Sequence, residues 1–238
     1  MDWAAFFQLH DGLPREGPGD PADVARVAAA LGGARVTSIA DMGCGPGGDL
    51  DNLLHQFPEA TVTAVDLIEH FVDAVRHRHG NNPRVIPLQD DMVAPEGPFD
   101  LIWSAGALYF LGLEDGLSTM REKLGPDGVL AFSYPCHLTD DPSPEAVAFW
   151  EGYPVGGRDA LLGALNATSF SVLADWPVSD LGWRLYFAPM MARVARMRAG
   201  ASSELSEILD QAEAEYETWR HVRHETGYRM VVARRHDD

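Results

Sequence analysis

Ten residues, DMGCGPGGDL from Asp41 to Leu50, carry the strongest chemical signal in this 238-residue chain. They follow the apolar run RVTSIA and precede an amphipathic stretch. The glycines therefore fall between a strand and a helix, where a missing Cβ lets the backbone turn sharply and approach a ligand. Gly43, Gly45 and Gly48 satisfy G-x-G-x-x-G, a pattern that alone is weak evidence for a dinucleotide. Asp41 decides between ligands. It stands two residues before the first glycine, where its carboxylate would clash with a pyrophosphate but suit a cation without phosphate. S-adenosylmethionine (SAM) carries a sulfonium and an ammonium and fits that demand; a nicotinamide dinucleotide does not. Asp66 ends the run ATVTAVD, 21 residues after Gly45, where a carboxylate accepts hydrogen bonds from both ribose hydroxyls. That ribose is common to both cofactors. The plainer alternatives are a tight turn for the glycines and a helix cap before Glu69 for Asp66, and together they are the weaker account.

Positioning such a loop needs a parallel sheet with helices on both faces. Five short apolar runs, RVTSIAD, ATVTAVD, RVIPL, FDLIWS and DGVLAFSYP, read as strands. Between them Ile68, Phe71, Val72 and Val75 recur at helical spacing, as do Leu113, Leu117, Met120 and Leu124. Alternation of this kind specifies a doubly wound α/β fold. Asp20-Pro21 marks a helix start and Gly32-Gly33 its end, after the irregular segment LPREGPGD. Gly125-Pro126-Asp127-Gly128 reads as a turn between a helix and a strand. After Pro135 the rhythm breaks. A Pro, Gly and aromatic segment to Thr168 is followed by FSVLADWPVSD, a long helix carrying Leu205, Ile208, Leu209, Ala212, Tyr216 and Trp219, and a closing strand GYRMVVARR. The expected organisation is one domain over 1–238, with an amino-terminal cap at 1–33 and insertion, lid and helical segments at 137–168 and 177–224.

Composition narrows the partners. A net charge of -18 repels nucleic-acid phosphates and anionic lipid alike. No apolar run approaches the roughly 20 residues of a spanning helix, and MDWAAFFQLH lacks the pattern of a secretory signal. A cytoplasmic chain is expected, which also discounts Asn166-Ala167-Thr168 as a glycosylation site. Cys44 and Cys136, expected in separate loops, are too few for a disulfide framework, and no His/Cys spacing suggests zinc, so no metal is expected.

DMGCGPGGDL resembles motif I of the class I SAM-dependent methyltransferases, AVD ending at Asp66 their acidic motif II, Asp91-Met92 their adenine-contacting segment, and LGPDGVLAFSYP their late motif. The resemblance covers about Val36 to Pro135. FFQLHDGLPREGPGD, FDLIWSAGALYFLG and Trp183 to Pro189 further resemble a UbiE-like bacterial group of mostly unassigned substrate. Many relatives carry an acid where this chain has Ala105. The resemblance implies a Rossmann-like seven-stranded sheet, mostly parallel, whose antiparallel last strand GYRMVVARR inserts between the fifth and sixth. It implies that Asp66 binds the ribose, Leu67 packs on the adenine, and Asp91 and Met92 meet its polar edge. Asp41, Gly43, Gly45, Gly47, Ser104 and Ala105 would surround the methionine end, with S-adenosylhomocysteine (SAH) as product.

A methyl donor that already carries its leaving group asks the protein mainly for alignment and dryness, and for a base only if the nucleophile arrives protonated. His10, Tyr109 and His137 are the titratable candidates beside the pocket, although most histidines are surface residues. Arg15 could pair with the methionine carboxylate or an acidic acceptor, or be an ordinary surface arginine. Trp150, Tyr153, Trp183, Tyr186 and Phe187 could wall a hydrophobic acceptor, though aromatics in such segments are more often core. The expected function is methyl transfer from SAM to an O, N or C centre of a small molecule. The alternatives are a SAM- or SAH-binding regulator without catalysis, a protein methyltransferase and a nicotinamide oxidoreductase. Oligomeric state is not legible.

Overall fold

The computed structural model describes residues 2–236. In chain order the elements are α1 (Trp3–His10), α2 (Pro21–Ala30), β1 (Ser38–Met42), α3 (Leu50–Gln56), β2 (Thr61–Asp66), α4 (Glu69–His79), β3 (Val85–Gln89), β4 (Phe99–Ala105), a 3-10 turn (Leu108–Leu111), α5 (Leu113–Lys123) and β5 (Leu124–His137). There follow α6 (Pro144–Ala148), α7 (Arg158–Ala167), β6 (Phe170–Pro177), α8 (Asp180–Met197), α9 (Ser203–Val222) and β7 (Thr226–Arg235). The seven strands form one sheet in the order β3-β2-β1-β4-β5-β7-β6. β1 to β5 pair in parallel, and β7 runs antiparallel between β5 and β6, as the resemblance implied.

The central strands β1, β4, β5 and β7 are largely buried because both of their faces are covered. In β5, Val129 and Ala131 enter a core shared with α2 and α3, while Leu130 and Phe132 enter another shared with α5 and α7. β7 repeats the division with Met230 and Val232 against Val231 and Ala233. Period-two side chains on a two-sided sheet produce this alternation between cores. A third core, containing Leu9, Trp183, Phe187, Leu209 and Trp219, lies where α1, α8 and α9 meet.

Two local expectations are corrected. Cys136 is in β5, not a loop, and both cysteines are buried and free. The Gly125–Gly128 segment is already part of β5, accommodated by a register shift opposite Phe99 and Leu101. The 137–168 segment contains α6 and α7; Ser143 caps the first, accepting from the Ala146 amide, and Pro144 occupies its first turn. α2 begins as expected, with Asp20 and Asp23 forming a reciprocal cap around Pro21.

The amino-terminal segment is tied to the sheet by one buried charge pair. Arg15 bonds Asp49 Oδ1, and Trp103 of β4 donates its indole N–H to Asp49 Oδ2 at 3.1 Å. Gly48 allows the approach, since a Cβ there would lie 2.9 Å from the Pro14 carbonyl oxygen. Ser179 donates to Asp20 at 2.6 Å, and Arg193 of α8 donates to the carbonyls of Leu9 and Gln8 at 2.7 and 2.6 Å. Among the described residues no helix is long and apolar enough to cross a membrane.

The Arg15 and Asp49 side chains are only 11% and 10% exposed, whereas those of Arg35 and Glu59 are 77% and 63% exposed. Asp49→Ala leaves Arg15 buried without its charge partner and is expected to cost about 3–5 kcal/mol in urea denaturation. Glu59→Ala is expected to cost about 1 kcal/mol or less. Equal small losses would show that the segment is anchored by something else.

Candidate functional site

The order of the strands reverses direction between β1 and β4, and open α/β sheets bind ligands in the crevice beyond the carboxyl ends at such a point. Two adjoining chambers occupy it. One, of about 590 Å³, is lined by the glycine loop, the end of β2 and the residues after β4. The other, of about 410 Å³, lies beneath α8 and α9 and is walled by aromatic residues including Trp150, Tyr153, Trp183 and Tyr228. Both are lined by Phe6, His10, Glu16, Gly106, Tyr109 and Tyr186, which form the boundary between them.

The glycine loop is held by the strand beside it. The amides of Gly43 and Cys44 each donate to the Val65 carbonyl at 2.9 Å, and the Gly45 amide donates to Asp66 Oδ2 at 2.8 Å. Asp66 Oδ1 accepts from the Ile68 amide at 3.0 Å, leaving further lone pairs on both oxygens. Gly43 has φ +76°, and a Cβ would stand 2.3 Å from that of Ala107, so no side chain fits there. Leu67 is two-thirds exposed on the chamber wall, an apolar surface available to a flat ring. Asp91 and Met92 line the same chamber.

Its electrostatics match a cationic guest. Burial, reinforced by Asp49 and Asp66, raises the Asp41 carboxyl well above the ordinary carboxylate range, and burial raises Asp66 despite its backbone hydrogen bonds. A positive charge beside them would reverse that preference and favour the ionised acids. The chamber's one Arg or Lys side chain, Arg15, is already paired with Asp49. A pyrophosphate would meet acids there without a free cation; a sulfonium and an ammonium suit the same donor set.

The candidate residues are not all brought together. Asp41, Gly43, Gly45, Asp66, Leu67, Asp91, Met92, Ala105 and Arg15 line the glycine-loop chamber. Gly47 lies behind the loop, packed toward Leu50 and Val75. The Ser104 side chain is fully buried in the sheet and donates to the Met42 carbonyl at 2.9 Å, because its neighbour Ala105 takes the cleft-facing place. His137 lines neither chamber; it ends β5 with its ring against Thr226 at 3.1 Å, and burial lowers its pKa. His10 and Tyr109 do stand at the boundary. His10 stacks on Phe6 and bonds Glu16 at 2.5 Å, while the Tyr109 ring is near Tyr153 and its hydroxyl, raised by burial, bonds that of Tyr228. Trp150, Tyr153, Trp183 and Tyr186 line the aromatic chamber, whereas Phe187 is core.

Among the polar residues of the site that the sequence did not single out are Glu16, Glu151, Gln211, Glu215 and Tyr228. Glu16 was overshadowed by its neighbour Arg15. Glu215 had a legible signal, since Ile208, Gln211, Ala212 and Glu215 fall on one face of α9 at helical spacing and place an acid among apolar positions. Glu215 lines the chamber, where desolvation pushes its pKa up to about 7 against the pull of His10, with Glu151 adding to the rise. Among the described residues no group of three or more His, Cys, Asp or Glu converges to hold a metal ion.

A raised carboxyl pKa favours the folded state most below the unfolded value near 4.5, and that advantage is lost as pH rises toward 7. Glu215→Gln lacks this loss. Its melting temperature relative to the unmodified protein should therefore climb between pH 5 and pH 8; a difference independent of pH would show that Glu215 titrates normally.

Comparison with known proteins gives three kinds of match. Residues 39–128 match the family model described as a methyltransferase domain. A malonyl-[acyl-carrier protein] O-methyltransferase from Enterobacter lignolyticus is 30% identical over 208 residues, 86% of this chain and 78% of that protein. A trans-aconitate 2-methyltransferase from Methylobacterium nodulans is 29% identical over 144 residues, 58% of this chain, and the match spans only 54% of that relative's length. A solved SAM-dependent methyltransferase from Geobacter sulfurreducens, in complex with SAH, superposes with a TM-score of 0.82 at 17% identity, covering 97% of each chain.

Proposed function

Because the chain belongs to the class I SAM-dependent methyltransferase family, we propose that it transfers a methyl group from SAM to an O, N or C centre of a small-molecule acceptor. The observation that carries this reading is the pair of chambers meeting at His10, Glu16, Tyr109 and Tyr186, one with the family's glycine loop and the other walled by aromatic rings. Volumes of about 590 and 410 Å³ fall within the roughly 300–1,000 Å³ of small-molecule sites.

In this reading Asp66 holds the ribose hydroxyls, Leu67 and Met92 flank the adenine, and Asp91 accepts from its amino group. Asp41 and the backbone from Gly43 to Gly45 receive the methionine end. Arg15 acts through Asp49, fixing the loop over the cleft, and Gly47 keeps the loop's shape from behind. When bound, SAM supplies a methyl group on a sulfonium leaving group. The chain's own contribution is to align the acceptor at the boundary, to keep water out with α1 and the 11–20 segment, and to offer His10, Glu16 and Tyr109 to an acceptor proton. A net charge of -18 disfavours a nucleic-acid acceptor, and two buried free thiols suit a reducing cytoplasm.

Parallel calorimetric titrations with SAM, SAH and NAD test the reading. Micromolar binding of SAM or SAH, about -8 kcal/mol, is expected, with no response to NAD. Asp66→Ala should weaken SAM at least about a hundredfold, near 2.7 kcal/mol. Binding of NAD alone would sink the proposal, and an unaffected Asp66→Ala would remove the ribose assignment.

A further inference from the structure

The aromatic chamber has an unusual charge balance for a family whose named relatives include proteins acting on trans-aconitate and malonyl groups, both carboxylic acids. Among the described residues no Lys or Arg side chain lines it. Glu16, Glu151 and Glu215 do. His10 is the one residue there able to carry positive charge, and it is already bonded to Glu16. The second Glu16 oxygen, Oε1, is buried and has no hydrogen-bond partner among the described residues. Trp150, Trp183, Tyr186 and Tyr228 line the same chamber, and aromatic rings attract cations.

Taking the chamber as the acceptor side, and so resting on the methyltransferase reading above, we propose that the acceptor is an amine on an apolar body, entering as its ammonium ion. A carboxylate acceptor would add its charge beside three acids with no Lys or Arg among the described residues to receive it, whereas an ammonium finds carboxylates and aromatic rings together. Desolvation raises both the Glu16 and the Glu215 carboxyls, so both acids are more comfortable ionised once a cation is beside them.

The chemistry then balances without another reactant. Glu16, at the boundary, accepts a proton from the ammonium, freeing the nitrogen lone pair. The nitrogen forms its bond to the methyl carbon as the carbon–sulfur bond breaks, and that electron pair stays on sulfur to give the neutral thioether of SAH. The product leaves as a methylated ammonium, and Glu16 returns its proton to water. Glu215 holds the incoming charge and takes no part in the bond change.

The test uses the full chain saturated with SAH and two matched pairs of probes sharing an apolar body: tryptamine with indole-3-propionate, and phenethylamine with 3-phenylpropionate. Calorimetry should find each amine bound at least about tenfold more tightly than its acid. Glu215→Gln should weaken the amines at least about tenfold while SAH affinity stays within about twofold. Labelled SAM should then transfer its methyl group to amine nitrogen. Binding of SAH with the acids preferred, with parity, or with neither class bound would overturn the amine assignment and leave the methyltransferase reading standing. Failure of SAH itself to bind would sink the reading on which it rests. An unchanged amine affinity in Glu215→Gln, with the variant's thermal unfolding cooperative, would also overturn the assignment.

Discussion

The contact on which the site depends is the pair between Arg15 and Asp49, completed by the indole of Trp103. Asp49 immediately precedes α3 on the glycine loop, Trp103 belongs to β4, and Arg15 comes from a segment with no regular structure of its own. One carboxylate thus ties a segment outside the sheet both to the glycine loop and to β4. A buried pair of this kind adds little net stability over an apolar substitute, but it fixes geometry, because each donor is costly to leave unpaired. Here the geometry fixed is that of the 11–20 segment, and with it Glu16 beside His10 at the boundary between the chambers.

The second constraint is electrostatic. Asp41, Asp66 and Glu16 all have carboxyls raised by burial, so the cleft resists carrying their full negative charge. Binding a cation and ionising these acids are therefore linked: each favours the other. A cofactor bearing a sulfonium and an ammonium supplies that positive charge in one step, and a neutral or anionic ligand of the same shape does not. The acids act as a charge filter as well as hydrogen-bond acceptors.

The parts of this arrangement that were legible in the sequence are those set by local pattern. The glycine loop could be read because its φ values and close approaches leave no choice of residue, and the sheet because apolar runs alternate with helical spacing. Ser104 and His137 misled for a common reason. Position at the end of a strand was taken as access to the cleft, yet neighbouring side chains on a strand point to opposite faces, and burial decides which of them reaches it. Ser104 turned inward to the Met42 carbonyl and His137 to Thr226. Glu16 and Glu215 were missed because their meaning comes from packing: one is an acid in an irregular loop, the other one of many on a long acidic helix, and 199 positions separate them.

That separation explains how one fold can change acceptors while keeping its cofactor. The glycine-loop chamber is built from strand ends whose side chains are constrained by both sheet cores, so its residues cannot vary independently of the fold. The aromatic chamber draws its acids and its histidine from α1, the 11–20 segment, the segment around Glu151 and one face of α9, none of which lies in the sheet. A charge on that face of α9 can be reversed without disturbing a strand register or the glycine turn. On the proposed reading acceptor choice is therefore carried by a few helix and loop positions, and Glu215, the acid on the face of α9 that also holds Ile208, Gln211 and Ala212, is the position where a change of sign would most directly alter which ligands the chamber tolerates.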